Sequence, residues 1–195
     1  VAAGGTPFPG GIVPASRFER LETLADHLGA ALQAAMRAHG WTLGRDVAIA
    51  ISTDGVHYGA DFKYTPYGEG GITAYERATE HDRELLRGPL RGPQTPATTR
   101  QLFEAFVNPE RPDEYRLTWC GRFAVPFGVL LLERLGREAG GIAGHPVAYA
   151  TSVGAPELPV RELGLGETAP ANLYHFVSYP AVAFTLEVAG ERRAH

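Results

Sequence analysis

Residues 47–64, Val47-Ala-Ile-Ala-Ile-Ser52-Thr53-Asp54-Gly55-Val-His57-Tyr-Gly59-Ala-Asp-Phe-Lys-Tyr64, open as an apolar run and close as a polar loop. Five aliphatic residues in succession, three of them β-branched, predict a buried strand over Val47–Ser52. Thr53, Asp54 and His57 follow at once, with Gly55 and Gly59 letting the backbone turn. Open α/β sheets build their sites just beyond strand ends, so this loop is the first candidate. The second is Trp119-Cys120-Gly121-Arg122, which holds the only cysteine and leads into an apolar helix. The two stretches are expected to face each other, with Cys120 and His57 sharing a pocket at one rim of the sheet.

Working outward, Ser16 and Glu19 have capping-box spacing and predict a helix start. Leu21, Leu24, Leu28, Leu32 and Met36 continue it as an apolar stripe toward a stop at Gly40, and the helix is expected to pack on a sheet. Helix, strand and site loop in that order make half of a βαβ unit. Downstream, residues 60–71 read as an ordered aromatic loop. Helices follow from Ile72 to about Leu85, from Pro96 to Val107 with Thr95 as cap, and from Ala124 to Glu138. Strands are expected over Val147–Thr151 and Val182–Val188, with Pro180 at the start of the latter. Between them, Gly154 to Ala171 reads as a long surface excursion. The fold class is α/β, with helices around a mixed, mainly parallel sheet.

A chain of 195 residues with 44% hydrophobic composition suits one domain over residues 1–195. A net charge of -4 and a pI near 6.0 give no basic footprint for nucleic acid or an acidic membrane. One cysteine rules out an internal disulfide, and no apolar run approaches the length of a membrane span; a cytoplasmic protein is expected. Val1 stands where an initiator Met would, so a piece of a longer protein is one expectation.

Cys120 at a helix mouth beside Arg122 is a candidate metal ligand or redox thiol, against the ordinary alternative of a small buried hydrophobe. Asp54 and His57, three apart after a strand, suit metal ligation or acid and base work; the alternative is a capped turn and a satisfied core histidine. His81, His145 and His175 read as structural, with His175 the first to check because it precedes a core strand. No dinucleotide fingerprint, phosphate loop or serine elbow occurs in the sequence.

Taken in order, Ser52-Thr53-Asp54-Gly55-Val56-His57-Tyr58-Gly59, Phe62-Lys63-Tyr64, Cys120-Gly121-Arg122, Gly128-Val129-Leu130-Leu131 and Ser178-Tyr179-Pro180-Ala181 resemble the MEMO family. The resemblance covers about residues 10 to 190 and is to the family's carboxyl-terminal part, the amino-terminal half falling outside it. Bacterial members of the family are known as the B component of the AmmeMemoRadiSam system. The resemblance implies the LigB-like fold of class III extradiol dioxygenases and a pocket for a redox metal, iron or copper. Asp54, His57 and Cys120 would be its catalytic residues, with Cys120 and His57 as metal ligands. Two further histidines of the family, in His-Ala-Gly-Tyr and Pro-Ser-His-His motifs, have no counterpart here, so the implied ligand set is incomplete. Phe123-Ala124-Val125-Pro126 also stands where the family more often has a histidine and proline. The expected activity is oxygen-dependent or redox chemistry on an unidentified substrate, a small molecule or peptide. A second chain would supply missing ligands, and a homo-oligomer is compatible with this reading. The reading kept beside it is a non-enzymatic binding or scaffold protein that stacks a partner on Tyr58, Tyr64, Tyr67 and Trp119.

Overall fold

The computed structural model describes residues 17–108, 110–111, 114–154 and 171–187. Ser16 of the expected capping box and nearly all of the expected excursion after Gly154 lie outside them.

The helices follow from the local sequence. α1 spans Phe18–His39 and ends at Gly40, whose φ of 68° is the left-handed turn that glycine adopts without penalty. Leu21, Ala25 and Gly29 form its buried side, while Leu28 is 41% exposed, so the stripe is rotated from the leucine spacing. The expected packing of this helix on a sheet is corrected: it lies chiefly against α4, Ala124–Gly136. At Gly29 the two helices come so close that a Cβ would sit 2.7 Å from Arg134 Cγ. α2 spans Ile72–Arg87, and α3 spans Pro96–Phe106 behind a reciprocal cap. Thr98 N–H donates to Thr95 Oγ1 at 3.2 Å, and Thr95 N–H donates to Thr98 Oγ1 at 2.9 Å. α4 carries buried side chains from Val125 to Leu135 and is the apolar centre of the helical layer.

β1 (His57–Tyr58), β2 (Gly92–Pro93), β3 (Ile142–Thr151) and β4 (Phe176–Leu186) form a four-stranded sheet in the order β1-β4-β3-β2. The α/β class holds, but the mainly parallel sheet does not, because every pairing among these strands is antiparallel. The parallel arrangement required Val47–Ser52 to enter the ladder. Instead, Val47 makes one isolated bridge to Leu43, and residues 48–52 have no strand partner. Their burial still alternates as in a strand, with Val47, Ile49 and Ile51 half-buried and Ala48, Ala50 and Ser52 exposed.

Both long strands begin earlier than expected. Pro180 therefore lies inside β4, where it opposes Tyr149, and the bulge between Pro146 and Ala148 lies close by in β3. Ser178 turns its N–H and C=O away from β3, toward Val56 and Gly55, and two-residue alternation aims the Pro180 nitrogen the same way. No ladder bond to β3 is therefore lost at the proline. One face of β4 packs on the helices through Phe176 and Ser178, while Tyr179, Ala181, Ala183 and Thr185 on the other face are exposed. No helix among the described residues is long and apolar enough to cross a membrane.

Candidate functional site

Cys120 sits in the turn that opens α4, where Arg122 N–H bonds Trp119 O at 3.1 Å and Val125 N–H bonds Gly121 O at 2.8 Å. Its Sγ is exposed to solvent, accepts the Asp54 N–H at 3.1 Å and lies 3.6 Å from Thr53 Oγ1. Gly121 N–H donates to Thr53 Oγ1 at 2.9 Å, which locks the two stretches together. Only glycine allows this approach, since a Cβ at position 121 would fall 2.6 Å from Thr53 Cβ. The Arg122 guanidinium lies over the Tyr115 ring at 4.0 Å and the Phe123 ring at 4.8 Å.

His57 is fixed by carbonyl groups. Its Nδ1 lies 2.8 Å from Thr118 O and 3.1 Å from Gly55 O. Carbonyl oxygens only accept, so Nδ1 carries the proton and the neutral ring has its lone pair at Nε2. Nε2 faces Asp54 Oδ2 at 3.6 Å, too long for a hydrogen bond and suited to an ion pair when the ring is charged. Cys120 and His57 thus each meet Asp54, one at its backbone and the other at its carboxylate. Phe62 meets the His57 ring edge-on at 5.1 Å, and His175 stacks on the far side of Phe62 at 4.7 Å, with Nδ1 3.5 Å from Asp61 Oδ2. His81 and His145 make their side-chain contacts elsewhere: His81 Nδ1 with Tyr67 OH at 3.2 Å, and His145 Nε2 with Thr185 Oγ1 at 2.9 Å.

Behind this rim lies a residue that the motif reading passed over. Asp82 of α2 is fully buried and accepts from Trp119 Nε1 at 2.7 Å, Tyr149 OH at 3.0 Å, Val56 N–H at 3.3 Å and the Ser178 hydroxyl. A single carboxylate therefore ties the residue before Cys120 to the residue before His57 and to both long strands. Burial pushes its carboxyl above the usual carboxylate range, against the downward pull of its four donors. Burial, and next the charge of Asp82, also push the Tyr149 phenol up. Gly55 leaves room for this knot, because a side chain there would collide with the Ser178 hydroxyl. The signal in the sequence is the position of Asp82 on the stripe of Ala74, Ala78 and Leu85, where an apolar residue is the rule.

A cleft of about 750 Å³ runs away from the rim between residues 47–53 and Pro180–Leu186, with Thr53 and Trp119 among its lining. Tyr58 and Trp119 are 0% and 1% exposed, so they form core and offer no stacking surface to a partner. Among the described residues, no group of three or more His, Cys, Asp and Glu converges to hold a metal ion.

No family model matches the chain. A protein of Thermococcus kodakarensis described as a MEMO1 family protein is 30% identical over 141 residues, which is 72% of this chain and 42% of that protein. The chain thus spans less than half the length of that curated relative.

Proposed function

The chain belongs to the MEMO family, related to class III extradiol dioxygenases, and from that premise we propose that Cys120, Asp54 and His57 are its share of a redox-metal site. In this reading Cys120 Sγ and His57 Nε2 are the ligands, and Asp54 orients His57 or holds a water. The metal, iron or copper, would supply oxygen-dependent or redox chemistry on a small molecule or a peptide side chain in the cytoplasm. The observation that carries the proposal is the His57 ring. Two carbonyls occupy Nδ1, so Nε2 presents its lone pair toward Asp54, the residue whose N–H holds the thiol. Ligating histidines are commonly oriented this way, with the second nitrogen donating to a carbonyl.

The donor set is incomplete. A mononuclear centre of this kind takes about three protein ligands with an open position, and the described residues bring only two and a nearby carboxylate. A third ligand would come from other polypeptide, and no metal-dependent step is derived from this chain alone. What its own residues can do is bounded: His57 Nε2 can take a proton and Asp54 can balance the resulting charge. A thiol ligand also favours softer metal states than a ring-cleaving iron site uses, which ranks ring cleavage low. Elemental analysis of the purified natural protein tests the proposal. Near-stoichiometric iron or copper, reduced at least tenfold in both Cys120→Ala and His57→Ala, is expected. Metal retained in both variants sinks it, as does its absence from the natural protein after reconstitution under reducing conditions.

A further inference from the structure

We infer that Phe62, with the His175 ring behind it, is the positioning residue of the His57 imidazole and keeps that ring turned with Nε2 toward Asp54, a role that builds on the reading of His57 as a metal ligand. Three rings are layered at this point. Phe62 meets His57 edge-on, with centroids 5.1 Å apart and planes at 80°, and His175 stacks on Phe62 at 4.7 Å with planes at 18°.

The carbonyls alone hold His57 at one atom. Thr118 O and Gly55 O both act on Nδ1, at 2.8 Å and 3.1 Å. Nε2 has no such bond, since the Asp54 carboxylate stands 3.6 Å away. A ring pinned at one atom can tilt about it. It can also turn over about Cβ–Cγ, because that torsion of histidine is broad and roughly two-fold. Turning over would put Cδ2–H at the carbonyls and take Nε2 away from Asp54. Phe62 is the aromatic ring that lies against His57 among the described residues, so it is the contact that resists both motions.

Phe62 can do this because its own position is fixed. It ends the short 3₁₀ turn Ala60–Phe62, in a loop whose ends are joined: Gly59 N–H bonds Tyr64 O at 3.0 Å, and Tyr64 N–H bonds Gly59 O at 3.2 Å. Lys63 closes the loop with φ 53°, a left-handed value uncommon outside glycine. The loop is seated against residues 174–175, where a Cβ on Gly59 would fall 2.7 Å from Tyr174 O. His175 arrives on a turn that is itself braced, since Asn172 Oδ1 accepts the Tyr174 N–H at 2.8 Å and the His175 N–H at 3.0 Å. Asp61 Oδ2 also lies 3.5 Å from His175 Nδ1, but the Asp61 side chain is 85% exposed. Water screens that pair, which leaves the ring stack as the support.

The tautomer of His57 reports whether the ring is held. Free histidine side chains favour the proton on Nε2, so the Nδ1–H form required by the two carbonyls has to be imposed by the fold. The test is the nitrogen chemical shifts of the His57 ring in labelled, metal-free protein at about pH 8, where an ordinary imidazole is neutral. The natural protein should show the Nδ1–H form. In Phe62→Ala and in His175→Ala the ratio of Nε2–H to Nδ1–H should rise at least about fivefold, the factor an aromatic pair supplies beyond its burial. His175→Phe keeps a ring on Phe62 and drops the contact with Asp61, so it should retain the natural tautomer. If Phe62→Ala does not fold, His175→Ala decides, because it leaves the loop and the ring against His57 in place. A residue that served stability alone would lower the unfolding free energy without moving the tautomer. That result in either alanine variant overturns the inference, as does an Nε2–H ring in the natural protein or a shift in His175→Phe equal to that in His175→Ala. The samples hold no metal, so a protein that binds neither iron nor copper yet gives the expected tautomers fails the metal proposal and leaves this one standing.

Discussion

At the scale of single residues, Asp82 is the buried acceptor on which the packing behind the rim depends. Removing its carboxylate leaves an indole N–H and two hydroxyls without their acceptor in the core, while the Val56 N–H keeps the Ser178 hydroxyl at 2.8 Å. Asp82→Ala should therefore lower the unfolding free energy by roughly 3–5 kcal/mol in urea titration, since each stranded buried donor costs about 1–3 kcal/mol and partial relaxation recovers some of that. The pH dependence has a definite sign. Burial raises the folded carboxyl, so ionisation costs more in the folded chain than in the unfolded one. The contribution of Asp82 is then full below the unfolded carboxylate value of about 3.9 and declines as pH rises through the folded value. Position 82 cannot titrate in Asp82→Asn, so the stability advantage of the natural protein over that variant should shrink as pH rises above the unfolded carboxylate value of about 3.9. An advantage that grows over that range would show that the four donors outweigh burial.

Among the elements, the helices were legible and the strands only in part. Each helix carried its own signals: Gly40 ends α1, Pro96 follows a threonine cap at α3, and an almost unbroken apolar run makes α4. Thr95→Ala should cost about 1 kcal/mol by thermal or urea unfolding, and Thr98→Ala added to it should cost less than the sum of the single changes, because the two hydroxyls serve one reciprocal cap. Full additivity would mean that they act independently. The run Val47–Ile51 has strand composition and strand alternation, yet composition does not say whether a neighbour is present to accept its backbone bonds. The same limit explains the misplaced parallel sheet, since β3 and β4 pair through residues far apart in the chain. The rim itself was legible because glycine, hydroxyl and thiol at positions 55, 53 and 120 each mark a local constraint. Asp82 was hidden because a helical acid normally faces water, and only its register on an apolar stripe signals otherwise.

On the scale of the whole molecule, the described helices cover one side of β4 and leave the other to solvent. Tyr179, Ala181 and Ala183 lie exposed on the open face with Val147, which is 64% exposed, on the neighbouring strand, and the apolar cleft between residues 47–53 and Pro180–Leu186 opens at the edge. Uncovered sheet of this size favours association, opposed by a modest net charge of -4 at neutral pH. The 195-residue chain should therefore bind a dye such as ANS in its native state and sediment faster with increasing concentration. Both effects should grow as pH falls from about 8 toward the pI near 6.0, where net repulsion vanishes. The pair Ala181→Lys and Ala183→Lys places like charges on the open face without touching the helical side. It should return the chain to concentration-independent sedimentation while changing unfolding free energy by no more than about 0.5 kcal/mol per site. Association that survives both lysines would locate the contact elsewhere, and an equal loss of stability would mean that the face is already covered in solution.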